Sequence, residues 1–243
     1  MIAAAVRCGL VAGFCAGVLA GLVGLVAGEP SVDAAVALEE PGPPGPPGEA
    51  EVTRPQQKMG LVVGTGLAGA AAGAIFGVAA AWAVGRVRGD AWARSLKLGA
   101  TLLLAVVVLP ALTYPANPPS VGDPETIGTR TTVYLGTVVL GLILAALAWA
   151  AGRRLADAGL SAPVRQTVVA LGVVAAAALL TAFLPVVDEP PSIPAELLWS
   201  FRLGSLAVQS TLIGGTATIF GLLAARSEDS GAGVERVRAT APA

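Results

Sequence analysis

Residues 131–152 read TTVYLGTVVLGLILAALAWAAG, a stretch of 22 residues that contains no charged side chain. An α-helix rises about 1.5 Å per residue, so about 20 apolar residues cross the hydrocarbon core of a bilayer. Five other stretches have similar length and at most one charged residue each: 2–28, 60–85, 96–114, 167–185 and 203–225. The sequence therefore predicts an all-α, polytopic transmembrane helix bundle of about six spans.

The composition is also that of a membrane protein. Hydrophobic residues make up 55% of the chain and charged residues only 13%, which is unlike soluble domains. We expect residues 1–226 to form one transmembrane domain with a proline-rich outer loop at 29–58, and residues 227–243 to form a flexible cytoplasmic tail. The first stretch could instead be a signal peptide. Its apolar run is longer than the roughly 7–15 residues of a typical signal core, which favours a retained helix.

Charged residues are divided unequally between the two sides of the predicted membrane. Of the 15 Lys and Arg residues, 11 lie at the N-terminus, in the second and fourth loops and in the C-terminal segment. Cytoplasmic loops carry the excess of Lys and Arg, so both termini are predicted to be cytoplasmic. Eleven of the 16 Asp and Glu residues lie on the opposite, outer side. This distribution predicts an outer surface that raises the local concentration of cations.

Two runs of glycine at four-residue spacing occur in the first two spans. Such small-xxx-small surfaces let helix backbones approach closely inside a membrane. They could join these two helices to each other or to a partner subunit, or they could simply reflect a chain with 31 glycines. The first run is Gly13, Gly17 and Gly21, and the second is Gly69, Gly73 and Gly77.

Prolines and short polar segments mark the outer side. The segment Val32–Glu40 predicts a short amphipathic outer helix, because its apolar residues recur at helical spacing. Residues 41–48, PGPPGPPG, predict a solvated polyproline-like spacer. Asp123 followed by Pro124 predicts the start of the fourth helix. Pro110 predicts a kink or a stop near the outer end of the third.

Several kinds of chemistry are excluded by what the chain lacks. It contains no histidine, which excludes Ser-His-Asp triads and HExxH zinc sites. It contains no GxxxxGK[ST] run, which excludes a P-loop for ATP hydrolysis. We therefore predict a protein that is not an enzyme, has no permanently bound cofactor and binds no nucleic acid, with the lipid bilayer as its surroundings.

Two outer loops combine prolines with acidic residues, the first at 114–130 and the second at 186–202. Carboxylates and free carbonyls in stiff loops suit a hard or borderline divalent cation. Alternatively, these acids only cap helices and complement their dipoles. The acids concerned are Asp123 and Glu125 in the first loop and Asp188 and Glu189 in the second.

Polar residues also extend into two of the spans. Arg130 and Tyr134 are one turn apart in the fourth, and Arg202, Ser205 and Gln209 share one face of the sixth. Because an arginine facing lipid is costly, these faces should point into the bundle or into a wet cavity. They could line a permeation path, or the arginines could pair with outer acids and hold helix ends together.

Three blocks of the chain resemble the CbtA family of cobalt transporter subunits. They read GEPSVDAAVALEE at 28–40, YPANPPSVGDPETIGTRTTVY at 114–134 and LLWSFRLGSLAVQ at 197–209. Residue by residue, the resemblance implicates Glu29, Pro30, Glu39, Tyr114, Pro115, Asn117, Pro118, Pro119, Asp123, Arg130, Tyr134, Phe201, Arg202, Ser205 and Gln209.

The resemblance implies a multi-pass subunit of the bacterial inner membrane that takes up cobalt or a related divalent cation and is linked to cobalamin metabolism. It also implies a small histidine-bearing membrane partner, CbtB. Cobalt(II) favours imidazole and thiolate ligands, which leaves two possibilities for the site. Either the partner supplies histidine, or the ligands are main-chain carbonyls together with Glu29, Glu39, Asp123, Glu125, Asp188 and Glu189.

The alternative function is a membrane scaffold that assembles a partner complex and transports nothing. A transport route between the fourth and sixth helices would require Arg130, Tyr134, Arg202 and Gln209 to face inward together, with the glycine runs facing outward. The expected cargo is cobalt(II).

Overall fold

The computed structural model describes residues 2–38, 52–119, 124–184 and 193–240. Within them it consists of helices without strands. Six helices are long and apolar enough to cross a membrane, which confirms the predicted fold class. They are α1 (Ile2–Leu38), α2 (Arg54–Ala83), α3 (Ala91–Thr113), α4 (Ile127–Asp157), α5 (Ala162–Phe183) and α6 (Ala195–Thr240).

Most helices extend beyond the apolar stretches that predicted them. Thr53 begins α2 with a capping box in which Gln56 reaches back to the Thr53 N–H, and Pro55 occupies the first turn. A 3-10 turn, Pro124–Thr126, precedes α4, so the α-helix starts slightly later than Asp123 and Pro124 suggested. The α6 backbone continues through residues 227–240, the first part of the segment predicted as a tail.

The two glycine runs lie face to face between α1 and α2. A Cβ atom added to Gly13 would overlap the carbonyl oxygen of Gly69 and would stand only 2.7 Å from Cα of Gly73. A Cβ added to Gly17 would overlap the carbonyl oxygen of Thr65 in the same way. Only glycine permits this separation, at which dispersion and weak Cα–H···O contacts hold the helices together.

Two helices contain a π-helical turn, and each turn ends two residues before a proline. In α1 the turn is Gly24–Gly28 and is followed by Pro30. In α3 it is Leu103–Val108 and is followed by Pro110. A proline within a helix lacks an N–H and collides with the carbonyl of residue i−4, and a π turn widens the helix at that point. The helices therefore continue past their prolines.

This continuity corrects the predicted outer helix. Residues up to Leu38 belong to α1 rather than to a separate helix at Val32–Glu40, of which Glu39 and Glu40 lie outside the described residues. Likewise, Pro110 does not stop α3, which runs on to Thr113.

The order of neighbours across the bundle is α2, α1, α6, α3, α4 and α5. Ser95 of α3 donates a 2.6 Å hydrogen bond to the carbonyl of Ala217 in α6. Phe76 of α2 meets Phe220 of α6 edge-to-face, with ring centroids 5.4 Å apart. The helix α6 therefore occupies the middle of the bundle.

The α4 and α5 helices lie at one side of the bundle. Gly141 of α4 packs against the carbonyl of Ala105 in the π turn of α3, and Trp149 donates a 3.2 Å hydrogen bond to Thr101. No residue of α5 is buried. In a membrane such a surface is available to lipid or to another protein.

Candidate functional site

Arg202 in the first turns of α6 joins this helix to the loop that follows α3. Its Nε donates to the carbonyl of Ala116 at 3.3 Å, and its Nη2 donates to Oδ1 of Asn117 at 3.2 Å. Arg202 and Asn117 are half-buried and Pro118 is buried. Both oxygens are neutral, so these bonds hold the loop against α6 without forming an ion pair.

Glu29 begins the last ten residues of α1, directly after the π turn, and is buried apart from 9% of its surface. Its carboxylate accepts a 2.5 Å hydrogen bond from Arg54 of α2 and lies 3.9 Å from Nζ of Lys58. Asp33, one turn further along α1, pairs with the same two cations at 2.6 and 2.7 Å. Two acidic and two basic side chains thus neutralise each other where α1 meets α2.

The π turn of α1 also contacts α6 close to Arg202. A Cβ on Gly204 would stand 3.3 Å from Cα of Gly28. A Cβ on Gly24 would stand 3.5 Å from Val208. This close approach places the start of the Glu29 segment beside the same part of α6 that carries Arg202.

Ser205 and Gln209 lie further into α6 and are both half-buried. Gln209 donates to Oγ of Ser205 at 3.1 Å. This bond uses the amide nitrogen of Gln209, and its carbonyl oxygen Oε1 has no hydrogen bond within the described residues.

The other predicted site residues are more scattered. Glu125 is exposed on the 3-10 turn, Arg130 and Tyr114 are half-buried, and Tyr134 is 36% exposed. Four predicted metal ligands lie outside the described residues: Glu39, Asp123, Asp188 and Glu189. Within the described residues, no three His, Cys, Asp or Glu side chains come close enough together to hold a metal ion.

The arrangement differs from the expected route between the fourth and sixth helices. The helix α3 lies between α4 and α6, so Arg130 and Tyr134 do not join Arg202 and Gln209 on a common face. The glycine runs face each other inside the bundle rather than outward. Arg202 hydrogen-bonds the loop oxygens, and Glu29 pairs with Arg54 rather than with Arg202.

Sequence reasoning missed Arg54, Lys58 and Asp33. A signal was present, since Glu29 and Asp33 are four residues apart on one helix, and Arg54 and Lys58 are four residues apart on the next. Residues at this spacing share a helix face. An acidic pair at the end of one span and a basic pair at the start of the next therefore predict ion pairs between the two helices.

At this end of the bundle, basic side chains of the protein already bind the oxygen atoms that a metal ion could use. The guanidinium groups of Arg54 and Arg202 bind carboxylate, amide and carbonyl oxygens. Oxygen ligands of these kinds are the ones that hard and borderline metal cations use. A metal cation bound at this end of the bundle would compete with the arginines for these oxygens.

The sequence matches the model of a known protein family. The model of the family described as "Probable cobalt transporter subunit (CbtA)" matches residues 2–225, nearly the whole chain. No curated protein and no solved structure matches the chain.

Proposed function

The chain belongs to the CbtA family, and from this premise we propose that it is the membrane subunit of an uptake transporter for cobalt(II) or a related divalent cation. The family description supports a cobalt transporter subunit. The direction of transport, the choice among divalent metals and the link to cobalamin metabolism are our proposal. We place the protein in the bacterial inner membrane with both termini in the cytoplasm.

The observation that carries the proposal is a convergence of three distant parts of the sequence. Glu29, Asn117 and Arg202 come from the three blocks that resemble the family. The loop carrying Asn117 is hydrogen-bonded to Arg202, and the π turn before Glu29 packs on Gly204. All three blocks therefore meet at one end of the bundle, and the acidic outer loops would bring cations to that end.

In the proposed mechanism, oxygen atoms at the outer end of the bundle exchange an arginine side chain for the metal cation. A divalent cation displaces Arg202 from the oxygens of Ala116 and Asn117, and these neutral oxygens strip part of its hydration shell. The acids Glu29, Glu39, Asp123, Glu125, Asp188 and Glu189 supply negative charge at this entrance. Since the chain offers no imidazole, the softer ligands that cobalt(II) favours come from a small histidine-bearing partner subunit.

The membrane potential is sufficient as a driving force. Moving one charge through 100 mV releases about 2.3 kcal/mol, so a divalent cation gains roughly 4.6 kcal/mol on entry. The proposed subunit therefore requires no ATP hydrolysis for uptake.

The test is uptake of radiolabelled cobalt by cells that express the chain with and without the small histidine-bearing subunit. We expect uptake above that of empty cells, and a decrease of about tenfold in Asn117→Ala and Arg202→Gln. Gln166→Ala, an exposed amide at the start of α5, is the matched control and should retain uptake. Equal accumulation in empty and expressing cells, with the partner present, would favour the scaffold function instead.

A further inference from the structure

The helix α3 divides at its π turn, Leu103–Val108, into two parts with different neighbours. The first part, Ala91–Leu102, packs along α6, whereas the last part, Leu109–Thr113, packs against α4 and α5. The π turn between the two parts contacts both α4 and α6. The chain of α3 therefore leaves α6 at the π turn and joins the side of the bundle that contains α4 and α5.

The first part of α3 is firmly attached to α6. Arg94 donates a 2.6 Å hydrogen bond to one carboxylate oxygen of Glu228, and the N–H of Ala91 donates to the other oxygen at 3.1 Å. Further along, the buried Ser95 donates a 2.6 Å hydrogen bond to the carbonyl of Ala217. An ion pair, a main-chain N–H and a buried hydroxyl thus fix this part of α3 in place.

The π turn lacks one main-chain hydrogen bond. The N–H of Leu109 bonds to the carbonyl of Leu104, five residues earlier, but Pro110 has no N–H to continue this series to Ala105. The carbonyl of Ala105 is the group on which Gly141 of α4 packs. Sharp bends in helices occur at prolines and at π turns, and α3 has both where its neighbours change.

Beyond the end of α3, one side chain reconnects the chain to α6. Arg202 donates to the carbonyl of Ala116 at 3.3 Å and to Oδ1 of Asn117 at 3.2 Å. These lengths lie at the upper end of the usual range of about 2.7–3.2 Å. No carboxylate takes part, so this contact is weaker than the pair of Arg94 with Glu228. The two ends of α3 are therefore held to α6 unequally.

We propose that the π turn Leu103–Val108 is a hinge and that the Arg202 contact holds it closed. When the Arg202 hydrogen bonds break, Leu109–Thr113 swings away from α6 together with α4 and α5, while Ala91–Leu102 stays attached. The bundle opens at the Arg202 end and stays closed at the Glu228 end, as in other hinge movements about a few residues. Only the metal cation as the group that breaks the Arg202 bonds rests on the proposed function.

The test measures distances between pairs of spin labels by double electron–electron resonance. It uses the purified full-length chain in detergent, with both native cysteines replaced by alanine. The pair at the Arg202 end is Thr129→Cys in α4 and Ser200→Cys in α6, both at exposed positions. The pair at the opposite end is Ala151→Cys in α4 and Ser227→Cys in α6, which are also exposed.

We expect Arg202→Gln to lengthen the first distance by about 4 Å, the displacement at the end of an arm about 12 Å long that turns by about 20°. The second distance should change by less than half as much. Pro110→Ala restores the missing N–H and should reduce the lengthening in Arg202→Gln by at least half. Gln166→Ala, exposed at the start of α5, is the control and should leave both distances unchanged.

The thermal unfolding midpoint and the elution volume in size-exclusion chromatography show that each variant is folded. An unchanged first distance in Arg202→Gln, equal lengthening of both distances, or full lengthening with Pro110→Ala overturns the hinge. Opening in Arg202→Gln without cobalt uptake by the wild type retains the hinge and removes the proposed function. Cobalt uptake with unchanged distances removes the hinge alone.

Discussion

Glu29 shows how a single carboxylate in this protein is satisfied. It is almost fully buried, and a buried charge is tolerated only with a partner and hydrogen bonds. Arg54 provides both at 2.5 Å, and its side chain remains 32% exposed. The pair therefore lies at the boundary between the interior of the bundle and its surroundings.

We predict that Glu29→Gln lowers the thermal unfolding midpoint, because it leaves Arg54 and Lys58 with only the more exposed Asp33. In a double-mutant cycle, Glu29→Gln and Arg54→Gln should be coupled by about 1–3 kcal/mol, as expected for a partly buried pair. Asp33→Asn, whose side chain is 45% exposed, is the control and should lower the midpoint less than Glu29→Gln does. Additive effects of the first two changes would show that the pair contributes nothing.

The glycine contact decides how α1 and α2 associate. We predict that Gly13→Ala destabilises the protein by roughly 1–3 kcal/mol, because the added methyl group overlaps a backbone that cannot move aside.

Gly64→Ala on α2 is the matched control, since a Cβ there meets nothing within 4 Å. Alanine also favours the helix by up to about 1 kcal/mol. Thermal unfolding in detergent measures both changes. A larger loss in Gly64→Ala than in Gly13→Ala would contradict the observed interface.

The π turn of α1 sets how the last part of this helix, Glu29–Leu38, is rotated about the helix axis. One extra residue in a helix turns the following segment by about 100°, and this rotation orients Glu29 and Asp33 towards α2. We predict that a bis-methanethiosulfonate reagent with a short spacer, about as long as the arginine side chain it replaces, bridges Asp33→Cys and Arg54→Cys in a chain with Cys8→Ala and Cys15→Ala.

Deleting Leu25 from the same chain should abolish this cross-link, whereas deleting Gly48 from the outer loop should preserve it. The cross-link is detected by electrophoresis with and without reductant. An undiminished cross-link after deletion of Leu25 would show that the π turn does not set the register.

The distribution of charged residues along the chain predicts the orientation of the protein in the membrane. In the chain with Cys8→Ala and Cys15→Ala, a membrane-impermeant maleimide added to intact cells should label Glu196→Cys. It should label Arg153→Cys only after the cells are opened. The reason is that Arg153 belongs to the basic side and Glu196 to the acidic side. The reverse pattern would invert the topology and place the proposed cation entrance in the cytosol.

The bundle as a whole has a tightly packed part and an open part. The helices α1, α2, α3 and α6 pack closely through glycine, alanine and serine, whereas α4 and α5 pack at one side with little buried surface. Under the proposed function, a route completed by a partner subunit on this open part would not require α4 and α6 to be neighbours.

The number and approximate position of the spans follow from the amino-acid sequence alone, because length and hydropathy decide whether a helix can cross a bilayer. It also indicated the family and the glycine surfaces, since both are recorded in local spacing.

Three features are visible only in the folded bundle: Glu29 pairs with Arg54, Arg202 bonds to the loop at Asn117, and α3 separates α4 from α6. These outcomes depend on helix rotation and on the order of neighbours. The π turns before Pro30 and Pro110 change the rotation of α1 and α3 about their axes. Hydropathy encodes neither helix rotation nor the order of neighbouring helices, because lipid accepts every apolar face equally.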